Sequence, residues 1–291
     1  MSALNRHPWS QKFKSWLEAR GFELKTRTWT RSGGESQLLL IGDFSARDRA
    51  SIVFLHGLGN DAVYPNIGLF RHLLANKYNL ITCDLDGHGQ NLSSLFSQTT
   101  APTLIPDMLE IADTLVHDSS HLHFCGYSFG AVLSLHYAIH HPHRVRSLSL
   151  IGMPLKLEAS LRLMAEALTP LLKTYRQALP DYGLAGIHPA VGPLLRHRYP
   201  VRTSPNEFGS YLEIAGRTIN ALRPAELLRQ INFPTLYIAG SLDFIAGGHA
   251  TAQFLKELKI AHQVLPGETH FSSMLTPEMP PRIEDFLRNL G

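Results

Sequence analysis

Leu122-His123-Phe124-Cys125-Gly126-Tyr127-Ser128-Phe129-Gly130-Ala131-Val132-Leu133 joins two patterns across a glycine-flanked serine. The apolar run ending at Cys125 reads as a short buried strand. From Phe129 onward Val132, Leu133 and Tyr137 or Ala138 recur at helical spacing. Between the two lies Gly126-x-Ser128-x-Gly130. Glycine on both sides lets a strand bend abruptly into a helix, because neither position carries a Cβ. Such a turn pushes Ser128 out of the sheet edge, and the following helix aims its N-terminal amides at the same place. A serine there can attack, and an anion formed beside it is stabilised. The five-residue pattern alone describes many ordinary loop serines, so the rest of the chain decides.

On the N-terminal side, Ser10 to Arg20 reads as a short basic helix with Phe13, Trp16 and Leu17 on one face and Gly21 as its stop. Its expected role is packing onto the core or a partner subunit rather than a membrane surface, for which it is short. Phe22 to Thr30 and Ser36 to Gly42 are strand-like, with Arg31-Ser32-Gly33-Gly34 as a hairpin signal between them. Ser51 to Leu55 is an apolar run typical of a strand covered on both faces, and it leads into His56-Gly57-Leu58-Gly59-Asn60. Asn79 to Asp84 is another such strand, followed by Asp86-Gly87-His88-Gly89; Leu104 to Val116 is helical.

Beyond the central stretch, Ser147 to Ile151 forms the next strand. Alternating strands and helices predict an α/β fold, a mostly parallel sheet with helices on both faces. From Pro154 to about Leu227 no strand pattern appears. Leu157, Leu161, Met164, Leu168 and Leu171 keep helical spacing, and Ser204-Pro205-Asn206-Glu207 opens a second helix carrying Phe208, Tyr211, Ala215, Ile219 and Leu222. The expectation is a core domain, 1–152 and 228–291, with a helical cap inserted at 153–227. The sheet resumes at Pro234 to Ala239, which delivers Gly240-Ser241-Leu242-Asp243. A helix from about His249 to Leu258 and a strand from His262 to Leu265 lead to Gly267-Glu268-Thr269-His270, and a helix from Ile283 to Leu290 closes the chain.

Composition narrows the function classes. The 291 residues, 44% hydrophobic and 18% charged, are those of a globular protein large enough for a substantial core. A net charge of +3 without a Lys/Arg block sets nucleic acid aside. No apolar stretch is long enough for a transmembrane span. Met1 to Trp9 lacks the apolar segment of a secretory signal. Two cysteines in predicted strands argue against a disulfide framework, so the cytoplasm is the expected compartment.

Serine chemistry needs the hydroxyl, a base for its proton, and a group that orients the base. It also needs amide donors where the carbonyl oxygen turns negative. Ser128, Asp243 and His270 each follow a predicted strand end, where reactive groups of open parallel sheets collect. Together with the elbow, His56-Gly57 after the third strand and Asp84-x-x-Gly87-x-Gly89 after the fourth, the chain resembles the α/β-hydrolases, which use the order Ser…Asp…His. The likeness covers Phe22 to Ile151 and Pro234 to Leu290, and is nearest to serine carboxylesterases and monoacylglycerol lipases with a helical cap. It implies an eight-stranded sheet, Ser128, Asp243 and His270 as catalytic residues, and the amides of Leu58 and Phe129 as oxyanion hole. It also implies His56, Gly57 and Tyr127 beside the substrate. No cofactor and no metal is expected. One departure is Ala246, three residues after Asp243, where the family often shows proline.

Rival assignments exist for each group. Asp243 could cap the helix that follows, and His270 competes with fifteen other histidines. His56 fits shaping of the oxyanion loop better than proton transfer, and His88 fits a structural turn. His121-x-His123 and His140-His141-x-His143 lack further ligands at a recognisable metal spacing. In the sheet order the resemblance implies, strand three separates Cys83 from Cys125 by two strand spacings, about 9–10 Å, too far for a disulfide.

The expected reaction is hydrolysis of a small-molecule carboxylic ester of short to medium acyl length through an acyl-enzyme. Amide, thioester or carbon–carbon bond hydrolysis on the same triad, and a non-catalytic ligand receptor of the same fold, are the alternatives. The Trp16 helix and the cap are the surfaces on which a homodimer would be sought.

Overall fold

The computed structural model describes residues 8–31, 34–63, 66–88, 101–114, 122–156 and 205–290. Its centre is an eight-stranded sheet in the order β1-β2-β4-β3-β5-β6-β7-β8. The strands are β1 (Glu23–Arg31), β2 (Gly34–Gly42), β3 (Ala50–Leu55), β4 (Tyr78–Cys83), β5 (Leu122–Tyr127), β6 (Val145–Ile151), β7 (Thr235–Gly240) and β8 (Ala261–Leu265). β1 and β2 form an antiparallel hairpin, β2 joins β4 antiparallel, and every later pairing is parallel.

The near-continuous apolar strands are explained by layers on both faces. Along β3, Ile52 and Phe54 point to one side, Val53 and Leu55 to the other. The first side is covered by α1 (Pro8–Glu18) through Phe13 and Leu17, by α2 (Ile67–Ala75) through Leu69, Phe70, Leu73 and Leu74, and by the last helix, α8 (Met279–Arg288), through Ile283 and Leu287. The second is covered by α3 (Leu104–Ala112), α4 (Phe129–His140), α5 (Pro205–Leu222), α6 (Pro224–Leu228) and α7 (Gly248–Glu257). Ala215 and Ile219 of α5 and Leu227 and Leu228 of α6 are buried in the layer that holds α4. The first half of the expected cap, with Leu157 to Leu171 and Ser204, lies outside the described residues, as do the side chains of Phe208 and Tyr211.

Several boundaries move for physical reasons. β5 runs to Tyr127, two residues past the apolar run, because Gly126 and Tyr127 pair with Leu150 and Ile151. α8 begins at Met279, not Ile283: Pro280 and Pro281 occupy its first turn, where the missing N–H groups cost nothing. α2 was not anticipated, although Leu69, Phe70, Leu73 and Leu74 have helical spacing. The N-terminal helix packs onto the core; the ring of Trp16 meets the guanidinium groups of Arg20 at 4.5 Å and Arg71 at 5.3 Å. Cys83 and Cys125 are buried free thiols on β4 and β5, with β3 between them. Among the described residues no helix is long and apolar enough to cross a membrane.

Candidate active site

Ser128 stands between β5 and α4 with φ +53° and ψ −117°, a conformation that a residue with a side chain adopts only when its surroundings enforce it. The enforcement is visible on both sides. A Cβ on Gly126 would lie 2.5 Å from Cα of Ala131, and one on Gly130 would lie 2.3 Å from the carbonyl oxygen of Leu55. The Ser128 amide donates to the Ile151 carbonyl at 2.8 Å, tying the turn to β6. Ser128 is partly exposed, whereas its neighbours Tyr127 and Phe129 are buried.

Two loops bring the other groups to it. The Ser128 hydroxyl donates to Nε2 of His270 at 2.9 Å. On the far side of the ring, Nδ1–H of His270 donates to Asp243, 2.9 Å from Oδ2 and 3.1 Å from Oδ1. Asp243 Oδ1 also accepts the amides of Ile245 at 3.0 Å and Ala246 at 2.8 Å. Helix α7 starts later, with Gly247 at its N-cap, so Asp243 is not its cap. Ala246 thus supplies an amide donor that proline could not. The loops carrying Asp243 and His270 are stitched together: the Leu242 amide donates to Glu268 O at 2.9 Å, and the Gly267 amide to Ser241 Oγ at 2.8 Å.

Glycines permit this crowding. Gly240 faces the Glu268 carbonyl so closely that a Cβ would sit 2.0 Å from its oxygen. Gly152, at φ +55°, backs the Asp243–His270 pair, with a virtual Cβ 3.3 Å from both Asp243 Oδ2 and His270 Nδ1. Tyr237, buried beside them, donates to the Met153 carbonyl at 2.6 Å. Burial, and then the charge of Asp243, hold its phenol well above the ordinary range, so it stays neutral.

The segment after β3 is fixed from behind. His56 is fully buried; its Nε2 accepts the Leu85 amide at 2.9 Å, so its proton sits on Nδ1, which donates to Gly57 O at 2.7 Å. Burial lowers its pKa to about 3, keeping the ring neutral. Asp84 Oδ1 accepts the Ala62 amide at 2.6 Å. In the turn after β4, His88 is buried, its Nδ1–H donating to Asp86 O at 2.8 Å, with its ring 5.5 Å from His56. Gly57 rests against Ser128: a Cβ there would lie 3.0 Å from Ser128 Cβ and 2.9 Å from the Tyr127 ring.

The expected triad residues are therefore brought together, and the segment bearing Leu58 lies beside Ser128. Two of the side chains expected beside the substrate sit inside the protein. His56 and Tyr127 are buried, and both spend their polar atoms inside the protein: His56 on Gly57 and Leu85, Tyr127 on the His270 carbonyl at 2.8 Å. Nothing in the local sequence reveals these long-range partners. Leu242 and Phe244, which sequence reasoning passed over, are the exposed large hydrophobic residues among those described, and they flank Asp243. Alternation gave no sign of them, since they lie on a loop.

Comparison with known proteins agrees with this architecture. The family model described as "alpha/beta hydrolase fold" matches residues 50–184. The chain is 38% identical over 102 residues to the dihydrolipoyllysine-residue acetyltransferase component of the acetoin cleaving system of Pseudomonas putida, covering 35% of this chain and 26% of that protein. It is 32% identical over 109 residues to 3-oxoadipate enol-lactonase 1 of Acinetobacter baylyi, covering 37% of this chain and 38% of that protein. The matches thus span between about a quarter and two fifths of these curated relatives' own length. Among solved structures, the 2-hydroxy-6-oxo-6-phenylhexa-2,4-dienoate hydrolase from Rhodococcus sp. strain RHA1 superposes with a TM-score of 0.66 at 21% identity, over 92% of this chain and 99% of that one. Strand order, the turn at Ser128, the matching family model and the superposition together show that this chain has the α/β-hydrolase fold.

Proposed function

We propose that the protein is a serine hydrolase that cleaves a carboxylic ester through an acyl-enzyme. The observation that carries this reading is the 2.9 Å contact between Ser128 Oγ and His270 Nε2, made by a serine held at positive φ. His270 takes the hydroxyl proton at Nε2 while Nδ1–H stays on Asp243, which holds the ring and stabilises its charged form. Ser128 Oγ attacks the acyl carbonyl, and the amides of Leu58 and Phe129 receive the developing oxyanion. The Nε2 proton passes to the leaving alkoxide. Water, deprotonated at the same nitrogen, then releases the acid and restores the serine.

The exposed Leu242 and Phe244 beside the acid support an acyl group of apolar character. Lactones are internal esters within the same class, and the match to an enol-lactonase supports including them. A panel of nitrophenyl esters of increasing chain length, with aliphatic lactones alongside, tests the reading. Turnover by wild type that is lost in Ser128→Ala is expected. Ester turnover that persists in Ser128→Ala, or no turnover of any ester, would refute it.

A further inference from the structure

Tyr127 touches all three working parts of the site. It precedes Ser128 on the strand, its ring lies under Gly57, and its ring centroid is 5.3 Å from that of His270. Its hydroxyl donates to the main-chain carbonyl of His270 at 2.8 Å, across 143 residues of sequence. The other hydrogen bonds of the base loop described above tie it to the acid loop, at Leu242 and Ser241. The Tyr127 bond instead ties the backbone of the base directly to the strand that carries the nucleophile. From these contacts we infer that Tyr127 is a positioning residue: its hydroxyl sets the height of His270 over Ser128. The inference rests on the serine-hydrolase reading. Proton transfer needs a heavy-atom separation near 2.6–3.2 Å, and small misplacements cost large factors in rate. A hydroxyl that fixes the carbonyl of the base thus acts on kcat without contacting substrate.

Tyr127→Phe removes one oxygen and keeps the packing against Gly57 and His270. The expected result is a kcat about tenfold lower with KM changed less than twofold, and Ser128 still reacting with a fluorophosphonate, more slowly. In a His270→Ala background the same change is expected to leave the residual labelling rate unaltered, because nothing remains to be positioned. An unchanged kcat, or an equal loss in both backgrounds, would overturn the positioning role while leaving the hydrolase reading intact. A wild type that neither labels at Ser128 nor turns over esters would overturn both. If Tyr127→Phe does not fold, 4-fluorophenylalanine at 127 fills the space of the hydroxyl without a donor proton. Its kcat is then expected to be about tenfold below wild type with KM changed less than twofold; a kcat equal to wild type would overturn the inference.

Discussion

Two serine–histidine pairs sit at opposite ends of β5, roughly 16 Å apart along the strand. At the carboxyl end, Ser128 and His270 are 2.9 Å apart; near the amino end, Ser147 Oγ and His123 Nδ1 are 2.7 Å apart. The hydrogen bond is as short in the second pair and both histidines are buried, yet the serines and the groups around the rings differ. Ser147 is a strand residue next to a register shift between β5 and β6, fully buried, and His123 is buried with the ring of Tyr78 edge-on at 6.1 Å. Burial, and then the charge of Arg146, lower the His123 pKa to about 4, so the ring resists taking a proton. Ser128 instead stands at positive φ, partly exposed, and its histidine has a carboxylate on the other nitrogen. On the proposed reading, a Ser–His contact marks a nucleophile only when access, backbone strain and a carboxylate accompany it. The amino-end pair is a satisfied polar contact inside a sheet.

The largest difference between the two ends should appear on deleting each hydroxyl. Ser128→Ala is expected to lower kcat on a responsive ester by a factor on the order of 10⁵ or more, whereas Ser147→Ala should leave it within twofold. Comparable losses from both would erase the distinction. Next in size is the carboxylate: Asp243→Asn keeps the shape but lets Nδ1 lose its fixed proton, and a kcat lower by about 10⁴ is expected from steady-state assays.

Gly152→Ala is a smaller perturbation. The added methyl meets Asp243 and His270 at 3.3 Å and the backbone there has positive φ, so a kcat roughly tenfold lower with an intact fold is expected. Normal activity in this variant would mean that the acid–base pair tolerates displacement. The smallest effect concerns pH and stability. His56, His88 and His123 are neutral in the folded state, lowered by burial to about 3, 4 and 4, while in the unfolded chain each protonates near 6.5. Between those values the unfolded state binds more protons, so stability is complete above about pH 6.5 and declines as pH falls toward 4. Replacing the amino-end pair with His123→Leu and Ser147→Ala removes one of these groups. Urea unfolding at pH 7 and pH 5 should then show a smaller loss than in wild type, with activity at pH 7 nearly unchanged.

Much of this contrast was legible in the sequence. Gly126-x-Ser128-x-Gly130 states its own geometry, since helix and strand approach so closely there that no Cβ fits. The double-faced apolar runs announced the parallel strands, and Asp243 and His270 followed from their strand ends and order. Local pattern could not supply the long-range partners. Nothing near Tyr127 tells that its hydroxyl reaches residue 270, and nothing near His56 tells that Leu85 fixes its tautomer. α2 does show in the sequence, as Leu69, Phe70, Leu73 and Leu74 at helical spacing between two apolar strands. α8 starts four residues before the expected Ile283, because Pro280 and Pro281, which break a helix interior, are accommodated in its first turn.

The central claim is that the hydroxyl at the carboxyl end of β5 is the nucleophile. Treating the folded protein with one equivalent of a fluorophosphonate, then mapping the adduct by peptide mass spectrometry, tests it most directly. A single adduct on Ser128, absent in Ser128→Ala and slowed in His270→Ala, is the predicted result. An unmodified Ser128, or a stoichiometric adduct on another residue, would contradict it.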